Sequence, residues 1–373
     1  MAELKVEVFA IDEVKEHPDA DRLELAYIGA WQIVIGLGSF KTGDRAVYIP
    51  VDSILPADVE NVLFPPGSKI TLKKSRVRSI KIRGAISQGM LVAPETVGLP
   101  PNIKVGTDVA EKLDIKKYTP PAKSVPGIMK ATRKRHKNPN FKVYTDIGHF
   151  KYYHRCLDGL EVFATEKVHG TNFRAGYVKY NAYNWWRRLL APLLRPFGMM
   201  KYDFAYGSHR VELTRKGKRT TGFYKQNVYY MMAEQYNLKD ILYPGEVIYA
   251  EIYGAGIQKG YDYGCGDNEW KMVVVDVMID GKYIDGVAAK GFCNNRGLPF
   301  APIVYIGTFK TFDEMNAIAN PPGDKSILYP DLEKPMEGIV IKPLTETKGY
   351  MGRMVFKWIN DTYWLAKGNT DFH

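Results

Sequence analysis

The segment Thr165-Glu166-Lys167-Val168-His169-Gly170-Thr171-Asn172 follows an alternating apolar stretch and breaks at a glycine. In extended chain Lys167 and His169 project to one face, and Gly170 admits backbone close to a ligand. A lysine held at a strand end beside such a turn acts as a nucleophile when nearby positive charge or desolvation keeps its amine neutral. Alone, K-x-x-G is weak, being expected by chance in most chains of this length. His169 alone is more often a satisfied core histidine. The weight comes from an ordered set downstream: Arg210 in Gly207-Ser208-His209-Arg210, Glu251 closing IYAE before Tyr253-Gly254, Glu337 and Lys342 in EGIVIK, and Lys357 in MVFKW. An amine, an arginine, two carboxylates and two further lysines suit phosphoryl chemistry, in which cations stabilise phosphates and carboxylates hold a metal or a ribose.

These residues need a scaffold. From Asp146 onward the pattern is mixed α+β, with strands in LEVFATEKV, GEVIYAEIYG, KMVVVDVMI and EGIVIKPL and a helix over about Lys225–Tyr236. Most of the chemical set falls at ends of these strands. The first 120 residues instead alternate through KVEVFAI, LELAYIG, QIVIGLG and AVYIPV, then a long stretch from Lys69 to Val92. Short strands punctuated by Gly and Pro predict a small barrel. Within it Lys69, Lys73, Lys74, Arg76, Arg78, Lys81 and Arg83 form a basic run without an acidic residue. On a strand Arg76 and Arg78 share one face and Lys81 and Arg83 the other, which calls for a slip or bulge between them.

The chain has 373 residues and a formal net charge of +11, with 25% charged and 13% aromatic residues. That composition excludes collagen, coiled coil and a largely disordered chain, and the length is ample for two domains. Residues 1–120 hold 16 Lys+Arg and 16 Asp+Glu, so the whole excess lies beyond them. A polyanionic partner or a plain solvated surface would each explain it. Cys156, Cys265 and Cys293 are far apart with no C-x-x-C, so neither a disulfide framework nor a structural zinc is expected, and a reducing cytoplasmic setting follows. The opening MAELKVEVFAIDEVKEH lacks the apolar run of a signal peptide, and Met272–Ile279 is broken by Asp276, well short of the roughly 18 residues of a span. A soluble protein is expected. Residues 119–142, with four prolines and no acid, predict a linker, either a solvated tether or a contact tracking a nucleic-acid backbone. Asn184–Met200, NWWRRLLAPLLRPFGMM, is apolar and basic at once, an insertion packed on its own domain or a membrane-surface segment.

The ordered set resembles the covalent nucleotidyltransferase superfamily. The form Lys167-x-His169-Gly170-x-Asn172 is similar to the second class of RNA ligases, whereas DNA ligases usually carry Asp in place of His169. The resemblance runs from about Asp146 to the end, roughly 60% of the chain. In front of it, His17-Pro18-Asp19-Ala20-Asp21-Arg22-Leu23 and Lys81-Ile82-Arg83-Gly84-Ala85-Ile86-Ser87-Gln88-Gly89-Met90 resemble segments of tRNA-binding OB modules. An OB module before this ligase type resembles the Deinococcus-type and Naegleria-type RNA ligases. The resemblance implies an α+β chain: an OB-type β-barrel over 1–118, a linker over 119–142 and a mixed α/β nucleotidyltransferase domain, ATP-grasp-like, over 143–373.

The resemblance also implies roles. Lys167 would attack the ATP α-phosphate and carry AMP; Glu166, Asn172 and Arg210 would contact nucleotide or RNA end, with His169 and Gly170 lining the same pocket. Glu251 would hold the ribose, Glu337 and Glu251 would engage Mg²⁺ or Mn²⁺, and Lys342 and Lys357 would neutralise the α-phosphate. Arg76, Arg78, Lys81 and Arg83 would contact RNA phosphates. Two departures stand out. The family usually stacks an aromatic on adenine where this chain has Val275, and its last motif offers two lysines two apart where Lys357 is flanked at that spacing by Val355 and Ile359. The substrate would be RNA with 3′-hydroxyl and 5′-phosphate ends, a nicked duplex or tRNA, sealed by a monomer with no membrane partner. Capping enzymes and DNA ligases place an OB domain after the last motif, and 16 residues follow Lys357 here, which speaks against both. A non-catalytic tRNA- or RNA-binding protein with a degenerate nucleotidyltransferase domain is the remaining alternative.

Overall fold

The computed structural model describes residues 4–68, 71–119, 138–180, 201–213, 227–349 and 352–366, together with positions 189, 190, 192, 193 and 196. Lys69, most of the linker and most of the Asn184–Met200 segment lie outside the described residues. The chain divides into two units: residues 1–121, 147–156 and 361–373 form the first, and residues 122–146 and 157–360 the second. Among the described residues, no helix is long and apolar enough to cross a membrane.

The expected front strands form, at Glu7–Ala10, Leu23–Ile28, Trp31–Gly36 and Arg45–Ile49. Glu7–Ala10 pairs with Arg45–Ile49, which pairs with Met90–Val92, while Glu13–Glu16, Leu23–Ile28 and Trp31–Gly36 form a separate meander. Their inward residues, among them Val8, Val47, Ile49 and Val92, close one apolar core; Ile28, Trp31, Ile33 and Tyr48 close another. The fold is of OB type, but no closed barrel ladder forms among the described residues. The stretch after Lys69 shows why. Instead of a long strand it makes a tight turn at Lys73–Ser75, with Lys74 and Ser75 at positive φ, then a hairpin, Ser79–Ile82 with Ala85–Gln88. The hairpin turns on Arg83 and Gly84, φ 47° and 91°, the paired positive values of a two-residue primed turn. Arg83 therefore sits in a turn, not on a strand face with Lys81.

Arg76 departs from the expected phosphate-binding role. It is 4% exposed, its Nε donates to Asp52 Oδ1 at 2.8 Å, and its guanidinium lies 3.8 Å from the centre of the Tyr118 ring. Burial has turned this cation inward, because a charge removed from water needs a carboxylate beside it. Arg78 is half-buried, whereas Lys73, Lys74, Lys81 and Arg83 are exposed. The His17-Pro18-Asp19 motif is structural as well: Nδ1 accepts from the Asp19 N–H, so Nε2 carries the proton donated to Ile82 O at 3.1 Å, tying the motif to the hairpin.

The second unit is built on two antiparallel sheets. The larger runs in the order Glu212–Leu213, Tyr202–Ser208, Thr171–Lys179, Glu246–Gly254, Trp270–Ile279, Lys282–Tyr283. In the smaller, four strands of this unit follow the order Phe356–Ile359, Gly338–Pro343, Glu161–Glu166, Ile303–Thr308. The expected helix appears as Val228–Gln235, begun by Asn227, whose side chain accepts from the Tyr230 N–H. It packs on the larger sheet through Val228, Tyr229 and Met232, against Phe173, Ala250 and Val274.

The buried Arg76–Asp52 pair makes a sharp expectation. Arg76→Ala leaves the Asp52 carboxylate buried without its partner and should destabilise the protein by about 3–5 kcal/mol. Lys81→Ala, changing an exposed side chain, should leave denaturation unchanged. Equal denaturation midpoints for the two variants would refute the burial of Arg76.

Candidate active site

Two sheet faces carry the site. In the smaller sheet Phe163 pairs with Lys342, Thr165 with Val340, and Val340 with Lys357. Directly paired residues share a face and alternate residues return to it, so Lys342 and Lys357 lie on the Thr165 face, and Lys167, two residues on, continues it. Lys167 leaves the strand there: its N–H donates to Gly338 O at 2.8 Å, anchoring the segment to the strand that follows Glu337. In the larger sheet the row Asn172, Glu251, Val273 crosses three strands.

The centre is Glu337, 2% exposed. One carboxylate oxygen takes the Lys167 ammonium and the other meets His169 Nδ1 at 3.1 Å. Lys167 and His169 thus converge on one carboxylate. Glu251 stands beside them. Enclosure pushes its carboxyl up to about 8, against the lowering pull of Lys167; Glu337 adds to the rise, and a hydrogen bond from the Gly170 backbone offsets part of it. Gly170 is obligatory for space: a Cβ there would collide with Ile252 O and the Glu251 side chain. Asn172 Oδ1, on the same row, is buried without a hydrogen-bond partner among the described residues.

Other expected residues have partners of their own. Glu166 is 1% exposed and accepts from Ser326 Oγ at 2.6 Å and from the Ile327 and Leu328 N–H groups at 2.8 and 2.9 Å. It points to the face opposite Lys167 and pins a loop. Burial raises its pKa, and the Ser326, Leu328 and Ile327 bonds oppose that rise. Lys342 Nζ lies 3.1 Å from Asp276 Oδ1. Lys357 is 3% exposed on the same face. Val275 is the extra residue of a bulge, since Tyr249 pairs with Asp276 and Ala250 with Val274. Arg210 is exposed, at the turn after Tyr202–Ser208.

Several neighbours escaped the sequence reading. Asp276, fully buried, also accepts from Tyr144 Oη at 3.0 Å and meets Arg353 at 2.6 Å. Arg353 lies against the Tyr283 ring, 3.7 Å from its centre. A lone acid inside KMVVVDVMI was the available signal, since an acid in an apolar strand demands a partner. Tyr261 and Tyr263, from the Gly-rich stretch GYDYGCG, also reach the His169 segment, and no spacing rule pointed to them.

Among the described residues, no three His, Cys, Asp or Glu side chains gather as a metal cage. Glu337 and Glu251 still fit a divalent ion of the kind held by one or two carboxylates and completed by phosphate oxygens. With three lysines on one face, the site is suited to a substrate rich in phosphate.

A family model described as RNA ligase matches residues 160–359, and one described as an OB-fold domain matches residues 5–94. The fold is similar to the RNA ligase of Naegleria gruberi: a mutant with ATP and Mn superimposes with a TM-score of 0.72 at 20% identity, covering 97% of this chain and 98% of that one. The same ligase with PPi gives 0.68 at 20% identity, covering 97% and 98%. In sequence the chain is 32% identical over 121 residues to the phenylalanine–tRNA ligase beta subunit of Syntrophus aciditrophicus, and 29% over 126 residues to that of Neisseria meningitidis serogroup B. Each match covers 30% of this chain and 14% of the relative, so the chain spans about one seventh of those proteins. Since the ligase match takes in more than half of the chain and encloses the whole Lys167-to-Lys357 set, this protein belongs to the RNA ligase family.

Proposed function

We propose that the protein is an ATP-dependent RNA ligase that joins 3′-hydroxyl and 5′-phosphate RNA ends through a lysyl-AMP on Lys167 and an RNA-adenylate. The observation that carries this reading is the convergence of Lys167 and His169 on buried Glu337, on the sheet face that also bears Lys342 and Lys357. Lys167 Nζ bonds to the α-phosphorus of ATP while the bond from that phosphorus to the pyrophosphate oxygen breaks, and pyrophosphate leaves with the electron pair. The amine must first give up a proton, and Glu337 is the carboxylate placed beside it to receive one. Lys342 and Lys357 offset the charge of the α-phosphate, and Glu251 accepts from the ribose hydroxyls. Val275 leaves no aromatic at the usual adenine-stacking position. A bound Mg²⁺ or Mn²⁺ would supply Lewis-acid stabilisation of the phosphates, held by Glu337 and Glu251. Asn172, with its unused oxygen, and exposed Arg210 are assigned to the nucleotide or RNA end.

The AMP then passes to the 5′-phosphate, and the 3′-hydroxyl displaces it. No step demands ribose, so a preference for RNA comes from contacts reading the 2′-hydroxyl or A-form shape. We assign part of that contact to the front unit through Lys81 and Arg83, with half-buried Arg78 beside them and Lys73 and Lys74 added. The protein is placed in a reducing cytoplasmic setting, acting as a monomer on a nicked duplex or a cut tRNA.

Lys167→Ala should lose the covalent label that wild-type protein acquires from α-labelled ATP and Mg²⁺; a label surviving in the variant would remove Lys167 from its role, and label from GTP would indicate a capping activity. On four nicked duplexes with RNA or DNA on each side, sealing should fail whenever the 3′-hydroxyl strand is DNA. Equal sealing of the all-DNA nick would sink the RNA preference.

Glu251 makes a pH-dependent expectation in nucleotide-free protein with chelator. Folding raises its pKa from 4.5 to about 8, so the folded state keeps a proton that the unfolded chain releases. Its contribution to stability is full below pH 4.5 and lost as pH rises through 8. Glu251→Gln does not titrate, so its melting temperature relative to wild type should climb between pH 5 and pH 9, by ~3 °C or more. A difference that stays flat over that range would show the carboxyl to be unperturbed.

A further inference from the structure

The loop between the two central strands, 255–269, touches the nucleophile segment at three points. Gln258 Nε2 donates to Gly170 O at 2.8 Å. The His169 N–H donates to Tyr263 Oη at 2.8 Å. The Tyr261 ring meets the His169 ring edge-on, with centres 4.5 Å apart, and Tyr261 Oη donates to Pro335 O at 3.0 Å, two residues before Glu337. One loop therefore grips both segments whose side chains meet at Glu337. Packing alone does not account for its backbone: Tyr263 sits at φ 52°, a left-handed conformation that a bulky side chain rarely adopts, and it is 4% exposed. A strained residue persists where its surroundings over-determine it, and such residues cluster at functional sites. A second loop backs the first, since the Tyr329 ring lies over Gly264 and the Lys334 stem over Gly260, with Glu166 pinning that second loop at Ser326–Leu328. Burial keeps the Tyr263 phenol well above its ordinary pKa, so it stays a neutral hydrogen-bonding group.

We propose that Tyr261 and Tyr263 are positioning residues for lysine adenylation, holding the His169 and Glu337 segments in the register that aims Lys167. The proposal rests on the ligase reading above. Neither phenol is assigned a contact with substrate. Loss of either hydroxyl would leave the rings and the fold in place and loosen one of the two segments. Misplacement of a reacting group by about 1 Å lowers rate far more than binding.

The test compares Tyr261→Phe and Tyr263→Phe with wild type and with Tyr305→Phe, a matched control whose hydroxyl donates to Thr308 O at the protein surface, 2.8 Å away. Single-turnover formation of the labelled lysyl-AMP is followed against ATP concentration, with thermal melting of each variant. Both loop variants should lose about 10-fold or more in the limiting rate, with the half-saturating ATP concentration changed less than about 3-fold, while Tyr305→Phe matches wild type. Wild-type rates in both loop variants would overturn the proposal. So would a melting loss above about 5 °C with rate and ATP affinity falling together, the mark of a merely structural role. Absence of label in wild type would overturn the ligase reading itself, and this proposal with it.

Discussion

The shared carboxylate of Glu337 is the constraint around which the second unit is arranged. A buried acid must be paired, and here two partners come from one short segment, Lys167 and His169, that lies at the end of a neighbouring strand. This needs three conditions. The strand Glu161–Glu166 must pair in register with Gly338–Pro343, Lys167 must be bonded to Gly338 O, and Gly170 must let the chain pass against Ile252 and Glu251. A register slip of one residue would turn Lys167 away and bring Glu166 to the site.

Around that pair the unit separates charge. Burial holds the Glu251 carboxyl well above the usual carboxylate range against the opposing pull of Lys167, and Glu337 adds to the rise. Lys342 is held by Asp276, itself held by Tyr144 and Arg353. Lys167 and Lys342 are thus each backed by a buried acid, which fixes their place at the cost of reach. Lysine suits this task, as a compact charge on a flexible stem that can exchange one anion for another.

In the front unit the same physics runs the other way. Arg76, one of a basic run that looks uniform in sequence, is drawn inward by Asp52 and stacked on Tyr118, while Lys81 and Arg83 remain outside on the hairpin. A run of cations is therefore divided by burial into a structural pair and a solvent-facing set. That division originates in the turn at Lys73–Ser75, where two positive-φ residues re-aim the chain from Arg76 onward.

The sequence by itself determined four front strands, the strands Glu161–Glu166, Glu246–Gly254, Trp270–Ile279 and Gly338–Pro343, the helix near Val228, and the ordered set from Lys167 to Lys357, because periodicity and residue type are local properties. It also determined the family resemblance, since the motifs stand in order along the chain. The partners were decided only by the tertiary structure. Glu337 lies 170 residues from Lys167, Asp276 lies 66 from Lys342, and Tyr263 lies 94 from His169. Sheet order and register bring such residues together, and neither is written in a local pattern. The closing of Arg76 upon Asp52, the bulge at Val275 and the turning of Glu166 to the far face have the same origin: which side of a strand meets the core is settled by what packs against it.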